Sequence, residues 1–192
     1  NSIKESIGNY TIELILCSPY PELPEELRDK PEVSNIQDYG SPTRCTQLAI
    51  EKCKGKYTTF AADDGWYLPD QLKQCLDIME ANKDNKFCLV SKYAEADDPY
   101  RDENFMIGFH EPIRSPFYPP DWVVFGCTIM HTSFLHWLGG IECYFEVCPL
   151  TYIDLGVRAQ RADAKVQIRK EFLFKCTQMP GTTGDHAPTH HA

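Results

Sequence analysis

At 192 residues the chain lies near the upper end of the usual single-domain range and is long enough to fold without a disulfide or metal staple. Apolar residues make up 42% and charged residues 24%, an ordinary globular balance that excludes wholesale disorder. The 19 basic and 28 acidic side chains leave a net charge of −9, which disfavours a nucleic-acid partner but leaves room for a small phosphorylated ligand held through a divalent cation or helix amides.

No stretch is long and apolar enough for a membrane segment, and residues 1–6 do not read as a signal peptide. Nine cysteines are many for this length, yet no C-x-x-C pair occurs, and most lie in apolar segments (Cys17, Cys88, Cys127) or on helix-like faces (Cys53, Cys75). Buried free thiols in a reducing, cytoplasmic compartment are therefore expected.

In chain order, Thr11 to Cys17 reads as a strand whose near-continuous apolar run suits burial on both faces. The proline- and acid-rich stretch 19–31 holds at most one short helix, and Val33 to Ile36 is a brief strand. From Thr43 to Lys54, Cys45, Leu48, Ala49 and Cys53 recur at helical spacing until Gly55 stops them. Tyr57 to Ala62 is the next strand, broken by Asp63, Asp64 and Gly65. Pro69 suits a first helical turn, with Leu72, Cys75, Leu76 and Met79 as the buried stripe of a helix ending near Ala81.

Phe87 to Val90 is again strand. Residues 95–120 read as a long surface excursion, Trp122 to Met130 as a strand, and Ser133 to Leu138 as a short helix ended by Gly139-Gly140. Tyr152 to Ala162 is expected to be helical, Lys165 to Ile168 a strand, and residues 181–192 a mobile tail following a single domain over 1–180. The alternation predicts an α/β fold, a mostly parallel central sheet flanked by helices, with Tyr57 to Ala62 and Thr11 to Cys17 as adjacent parallel strands.

Open parallel sheets bind ligands beyond the carboxyl ends of their strands, where Asp63 and Asp64 fall. Adjacent carboxylates are costly to hold together without a cation, and hard divalent ions such as Mg²⁺ or Mn²⁺ prefer carboxylate oxygen. An Asx-turn or helix cap is the competing reading of the same residues.

The segment from Arg44 to Asp70 resembles the nucleotide-sugar glycosyltransferases of family 2. In that family an A-R-N-x-G-I helix leads to A-x-G-x-Y, then to a strand ending in F-L-D-x-D-D and W-x-x-P. Ile50, Gly55, Tyr57, Phe60, Asp64, Trp66 and Pro69 hold the matching spacing. Leu138-Gly139-Gly140-Ile141-Glu142 resembles the family's L-G-G-F-D/E turn, and the run from Asp154 to Val166 its D-L-x-x-R-x-x-x-A-G-x-x-I helix.

The resemblance implies a GT-A-like, nucleotide-diphospho-sugar transferase fold. It also implies inverting transfer of a sugar from a nucleotide-sugar donor to a hydroxyl acceptor, with Mn²⁺ or Mg²⁺ neutralising the diphosphate. Asp64 then matches the metal-binding Asp and Asp63 the middle of the D-x-D triplet. Arg44 reaches the base or diphosphate, or is a solvated side chain of the first helical turn.

Several positions depart from the family pattern. Ala62 replaces the first Asp of D-x-D, Gly65 stands where a fourth Asp is common, and Cys17-Ser18-Pro19 lacks the Asp that reads the nucleobase. Thr151 and Tyr152 replace the E-D pair that carries the catalytic base, and neither is a base near neutral pH. Asp154, opening its helix, is the first choice among nearby carboxylates, with Glu146 and Glu142 in reserve; a helix cap is the alternative role for Asp154.

The family's first strand would precede Asn1, so the chain is either a piece of a larger protein or a pared-down relative. These departures favour a second reading, a catalytically degenerate scaffold that binds sugar or protein. A nucleotidyltransferase is disfavoured because no Gly-rich basic loop is visible. His131 is a further candidate for the divalent site, whereas zinc binding by Cys127, His131, His136 and Glu142 has weak spacing. The tail histidines 186, 190 and 191 reflect composition, and Trp66 is placed to pack on a sugar or base. Oligomeric state is not legible.

Overall fold

The computed structural model describes residues 2–61, 65–95, 112–113, 122–145 and 148–176. In chain order the elements are α1 (Ser2–Ile7), β1 (Leu14–Ser18), α2 (Glu25–Arg28), β2 (Val33–Gln37), α3 (Pro42–Lys52), β3 (Tyr57–Thr59), β4 (Gly65–Tyr67) and α4 (Gln71–Ala81). There follow β5 (Phe87–Glu95), β6 (Pro112–Ile113), β7 (Trp122–Val123), β8 (Thr128–His131), α5 (Thr132–Trp137), α6 (Cys148–Arg161) and β9 (Lys165–Cys176).

The fold is α/β, but its main sheet is mixed rather than mostly parallel. Five strands run in the order β3-β8-β5-β9-β4. Of its neighbours only β5 and β9 are parallel, while β3–β8, β5–β8 and β4–β9 are antiparallel. β1 and β2 form a separate two-stranded parallel sheet. The expected β1–β3 neighbourhood therefore does not form; β3 is an edge strand whose pairing partner is β8. Helices cover both faces of the central strands β5 and β8, whereas β1, whose apolar run led to the same expectation, is only partly buried along its length.

Side chains alternate across the central strands and build one core on each face. Leu89 and Ile129 pack with Ile7 of α1 and Leu72, Cys75 and Met79 of α4. Their neighbours Cys88, Val90 and Met130 face Ile50 of α3, Phe134 and Leu135 of α5, and Leu155 and Ala159 of α6.

β9 is three times as long as the expected Lys165 to Ile168, because register shifts against β5 turn Arg169 inward and leave Ile168 exposed. The buried guanidinium finds its partners on α4, donating to Cys75 Sγ at 2.9 Å and to Gln71 and Gln74 Oε1 at 3.1 and 3.0 Å. β4 stands where the sequence pattern shows only the lead into a helix. It lies against β9, and a Cβ on Gly65 would strike the Lys175 carbonyl and the Phe174 ring. This close approach gives a physical reason for glycine where the family pattern favours a fourth Asp. Residues beyond 176 and most of the 95–120 excursion lie outside the described set.

Candidate active site

β1 and β2 end together, with the Asp38 amide donating to the Ser18 carbonyl at 3.0 Å. Immediately beyond, Ser41 caps α3 by accepting from the Arg44 amide at 3.3 Å, and Pro42 occupies its first turn. Asp38 was not singled out by its sequence context, yet it organises this end. It accepts from Gly40 N at 2.7 Å and takes a two-pronged contact from Arg44, Nε to Oδ1 at 3.0 Å and Nη2 to Oδ2 at 3.1 Å. The Arg44 guanidinium and the Gly40 amide hold the Asp38 carboxyl below the usual aspartate range, and Asp38 in turn raises Arg44. Arg44 is 61% exposed, so the same fork can be offered to a ligand.

α6 joins this end to the acidic turn. Thr151 is buried, with its hydroxyl 3.3 Å from that of Thr43 in the first turn of α3 and donating to Phe145 O at 3.0 Å. The next residue, Tyr152, meets the Phe60 ring at a centroid distance of 5.5 Å. Phe60 lies just past β3 and leads to residues 62–64, so the pair that replaces E-D sits between Arg44's helix and the approach to Asp63 and Asp64. Asp63, Asp64 and Glu146 themselves lie outside the described residues.

The Leu138–Ile141 turn forms the third wall. Gln47 of α3 donates to Gly139 O at 3.3 Å and accepts from Ile141 N at 2.8 Å. From α6, Arg158 donates to Leu138 O and Gly140 O, each at 2.8 Å. Gly140 has φ +75° and a Cβ there would collide with Gln47, so two clamps and one glycine fix the turn.

Glu142, next along, is exposed, and its Oε1 accepts from Tyr144 N at 3.0 Å. Cys143 follows, within electrostatic range of Arg44, and burial with the neighbouring Glu142 raises its thiol pKa.

Asp154 departs from its expected place. α6 begins at Cys148, with Pro149 in its opening turn, so Asp154 lies in the second turn and does not open the helix. Its Oδ2 accepts from Arg158 Nε at 2.7 Å, an i,i+4 pair that commits it to the arginine holding the glycine turn.

His131 pairs with Tyr57 at the amino end of β3, the end away from the acidic turn, with the two rings 4.8 Å apart. Burial lowers its pKa, and its Nε2 has no hydrogen-bond partner among the described residues. His136 is occupied differently, 2.8 Å from Ile50 O.

Trp66 is 41% exposed on β4, opposite Lys175 of β9. The structure thus sets Thr151 against the first turn of α3, which bears Arg44, and Tyr152 against Phe60, and places His131 at the other end of β3. No cluster of three or more His, Cys, Asp or Glu side chains suited to a metal forms among the described residues. Two open hollows, of about 490 Å³ between α4 and β9 and about 320 Å³ between α3 and the glycine turn, do not include the described flanks of the acidic turn.

No protein-family model matches the chain, and no curated protein matches it. Solved structures do. S. aureus TarS superposes with a TM-score of 0.66 at 12% identity, over 94% of this chain and 35% of that one. The TarS 1-349 complex with UDP-GlcNAc gives 0.64 at 13%, over 92% of this chain and 52% of that one. GalNAc-T7, solved with UDP, GalNAc and Mn²⁺, gives 0.60 at 11%, over 91% and 39%. The chain therefore spans roughly a third to a half of these structures. At such identities the likeness shows the fold: a glycosyltransferase-like α/β architecture with a mixed sheet.

Proposed function

We propose that this chain is a nucleotide-sugar glycosyltransferase domain of the family 2, GT-A type. On this reading it moves a sugar from a nucleoside diphosphate to an acceptor hydroxyl with inversion, in the cytoplasm. The observation that carries the reading is the convergence on one end of α6. Thr151 touches the helix turn that bears Arg44, and Tyr152 touches the strand end leading to Asp63 and Asp64. The fold shared with a UDP-GlcNAc complex and with a UDP, GalNAc and Mn²⁺ complex supports it.

Asp63 and Asp64 are hard oxygen donors of the kind Mg²⁺ and Mn²⁺ prefer, and they are the residues assigned to hold the ion; His131 is not, given its place at the other end of β3. When bound, the ion supplies charge neutralisation of the diphosphate leaving group. Arg44 contributes a second positive group, exchanging Asp38 for phosphate oxygens. Trp66 offers an aromatic face beside the acidic turn.

The acceptor's proton goes to a carboxylate. Glu142 now leads, because it is exposed and its carboxylate's one hydrogen bond among the described residues is from the Tyr144 amide, whereas Asp154 is engaged by Arg158. Glu146 is the reserve.

The second reading, a degenerate scaffold that binds sugar or protein, draws on Thr151. Its hydroxyl is buried and hydrogen-bonded where the family carries its base. Calorimetric titration of UDP with and without Mn²⁺ tests the first reading: metal-dependent binding in the parent and its loss in Asp64→Asn are expected. Equal binding in both would refute the assignment. Binding without transfer, across nucleotide sugars and acceptors, favours the scaffold.

A further inference from the structure

Arg169 of β9 is 5% exposed and lines the open hollow of about 490 Å³ between β9 and α4. A buried guanidinium needs hydrogen-bond acceptors and also negative charge. The acceptors are present: Nη1 donates to Cys75 Sγ, and Nη2 to the side-chain oxygens of Gln71 and Gln74. None of the three supplies charge, because two are amides and burial pushes the Cys75 thiol up. Among the described residues the charge comes from Glu171, and it is loosely held. Arg169 Nε lies 3.4 Å from Glu171 Oε2, on a side chain that is 61% exposed. The hollow's other carboxylate, Asp77, is already engaged, accepting from Lys73 Nζ at 2.7 Å and from the Tyr10 hydroxyl at 2.9 Å.

We propose that this hollow binds a small monocarboxylate, whose carboxylate takes the place of Glu171 at Arg169 Nε while its short apolar body lies against Ile78 and Ile168. Glu171 then acts as a tethered stand-in for the ligand. The hollow has the volume of a small-molecule site, and its two isoleucines give an apolar wall beside the guanidinium. A monoanion suits it better than a phosphate dianion. Arg169 and Lys170 are balanced by Asp77 and Glu171, so no surplus positive charge is left for a second anionic oxygen. Neither Arg44 nor the described flanks of the acidic turn line this hollow, so the inference does not rest on the transferase reading.

The test follows the isoleucine methyl resonances of the full chain while isovalerate is titrated in at neutral pH. Saturable shifts are expected at Ile78 and Ile168 and not at Ile50, which lines the hollow beside the glycine turn. Isovaleramide has the same shape without the charge and should bind at least about tenfold more weakly, the scale of losing one charge-assisted contact. Glu171→Gln removes the tethered competitor and should tighten isovalerate by at least about threefold. A residue that merely lined the hollow would not give that gain. Arg169→Gln should abolish the shifts; should it fail to fold, the amide and Glu171→Gln still decide the matter.

Absence of saturable shifts, equal affinity for the amide, or an affinity unchanged in Glu171→Gln would overturn the site and leave Arg169 a structural side chain. Tighter binding of inorganic phosphate at the same methyls would overturn the assigned ligand class.

Discussion

The Asp38–Arg44 pair shows how a single side chain acquires a task from its neighbours. Asp38 follows a short, unremarkable strand, and its sequence context carries no motif. Its importance comes from the strand end, the Gly40 turn and the helix start meeting in space, which no local pattern encodes. Arg44 was visible as a candidate because the helix around it resembles a family block. Because Asp38 has its pKa lowered by folding, its contribution to stability is complete above the unfolded aspartate value of about 3.9 and is lost as pH falls through the lower folded value. Thermal melts of the parent and Asp38→Asn should therefore differ most at neutral pH and converge as the pH falls below the lowered folded value. Arg44→Ala is expected to weaken UDP binding by about tenfold, one charge-assisted contact. For the base, Glu142→Gln should lower turnover by roughly 10²-fold with nucleotide binding intact. If Asp154→Asn does so instead, with unchanged stability, the base is Asp154.

At the scale of elements, helices were legible and sheet pairing was not. α3 and α4 declare themselves by apolar spacing, with Gly55 after the first and Pro69 before the second, and the structure places them within a few residues of expectation. β9 hid its length because Arg169, Lys170 and Glu171 break the apolar run; an inward arginine satisfied by Cys75, Gln71 and Gln74 is a tertiary arrangement. α6 likewise exceeds the sequence expectation, but at its amino end: it starts at Cys148, ahead of its clear apolar stripe, and so carries Asp154 inward from the end. The clamp on the glycine turn depends on these boundaries. Arg158→Ala removes donors to Leu138 O and Gly140 O and frees Asp154, which should cost about 1.5–3 kcal/mol in urea unfolding for hydrogen bonds to a charged group. Gly140→Ala adds a methyl against Gln47 at positive φ and should destabilise by about 1–3 kcal/mol. Stability unchanged by either substitution would mean that the turn is not held from both sides.

Across the whole molecule, stability is unevenly shared. β5, β8 and β9 lie inside the five-stranded sheet and contribute to both cores, with Cys88, Leu89, Ile129, Met130 and Leu173 essentially inaccessible. β1 and β2 pair only with each other, and every residue of β1 is only partly buried. An isolated pair of strands is marginal, so its docking on α3 has to hold it in place. Sub-global opening should therefore release residues 14–18 and 33–37 well before the central sheet. Native-state hydrogen exchange is expected to give their amides a markedly lower opening free energy than Leu89, Ile129 or Val166. The same small sheet carries Asp38 at its end and abuts Arg44. A ligand that binds only the closed arrangement stabilises it by mass action, so UDP with Mn²⁺ should slow exchange selectively at 14–18 and 33–45. Uniform slowing over the whole chain would place binding on the global fold instead. Slowing confined to the hollow between α4 and β9 would move the donor site away from Arg44 altogether.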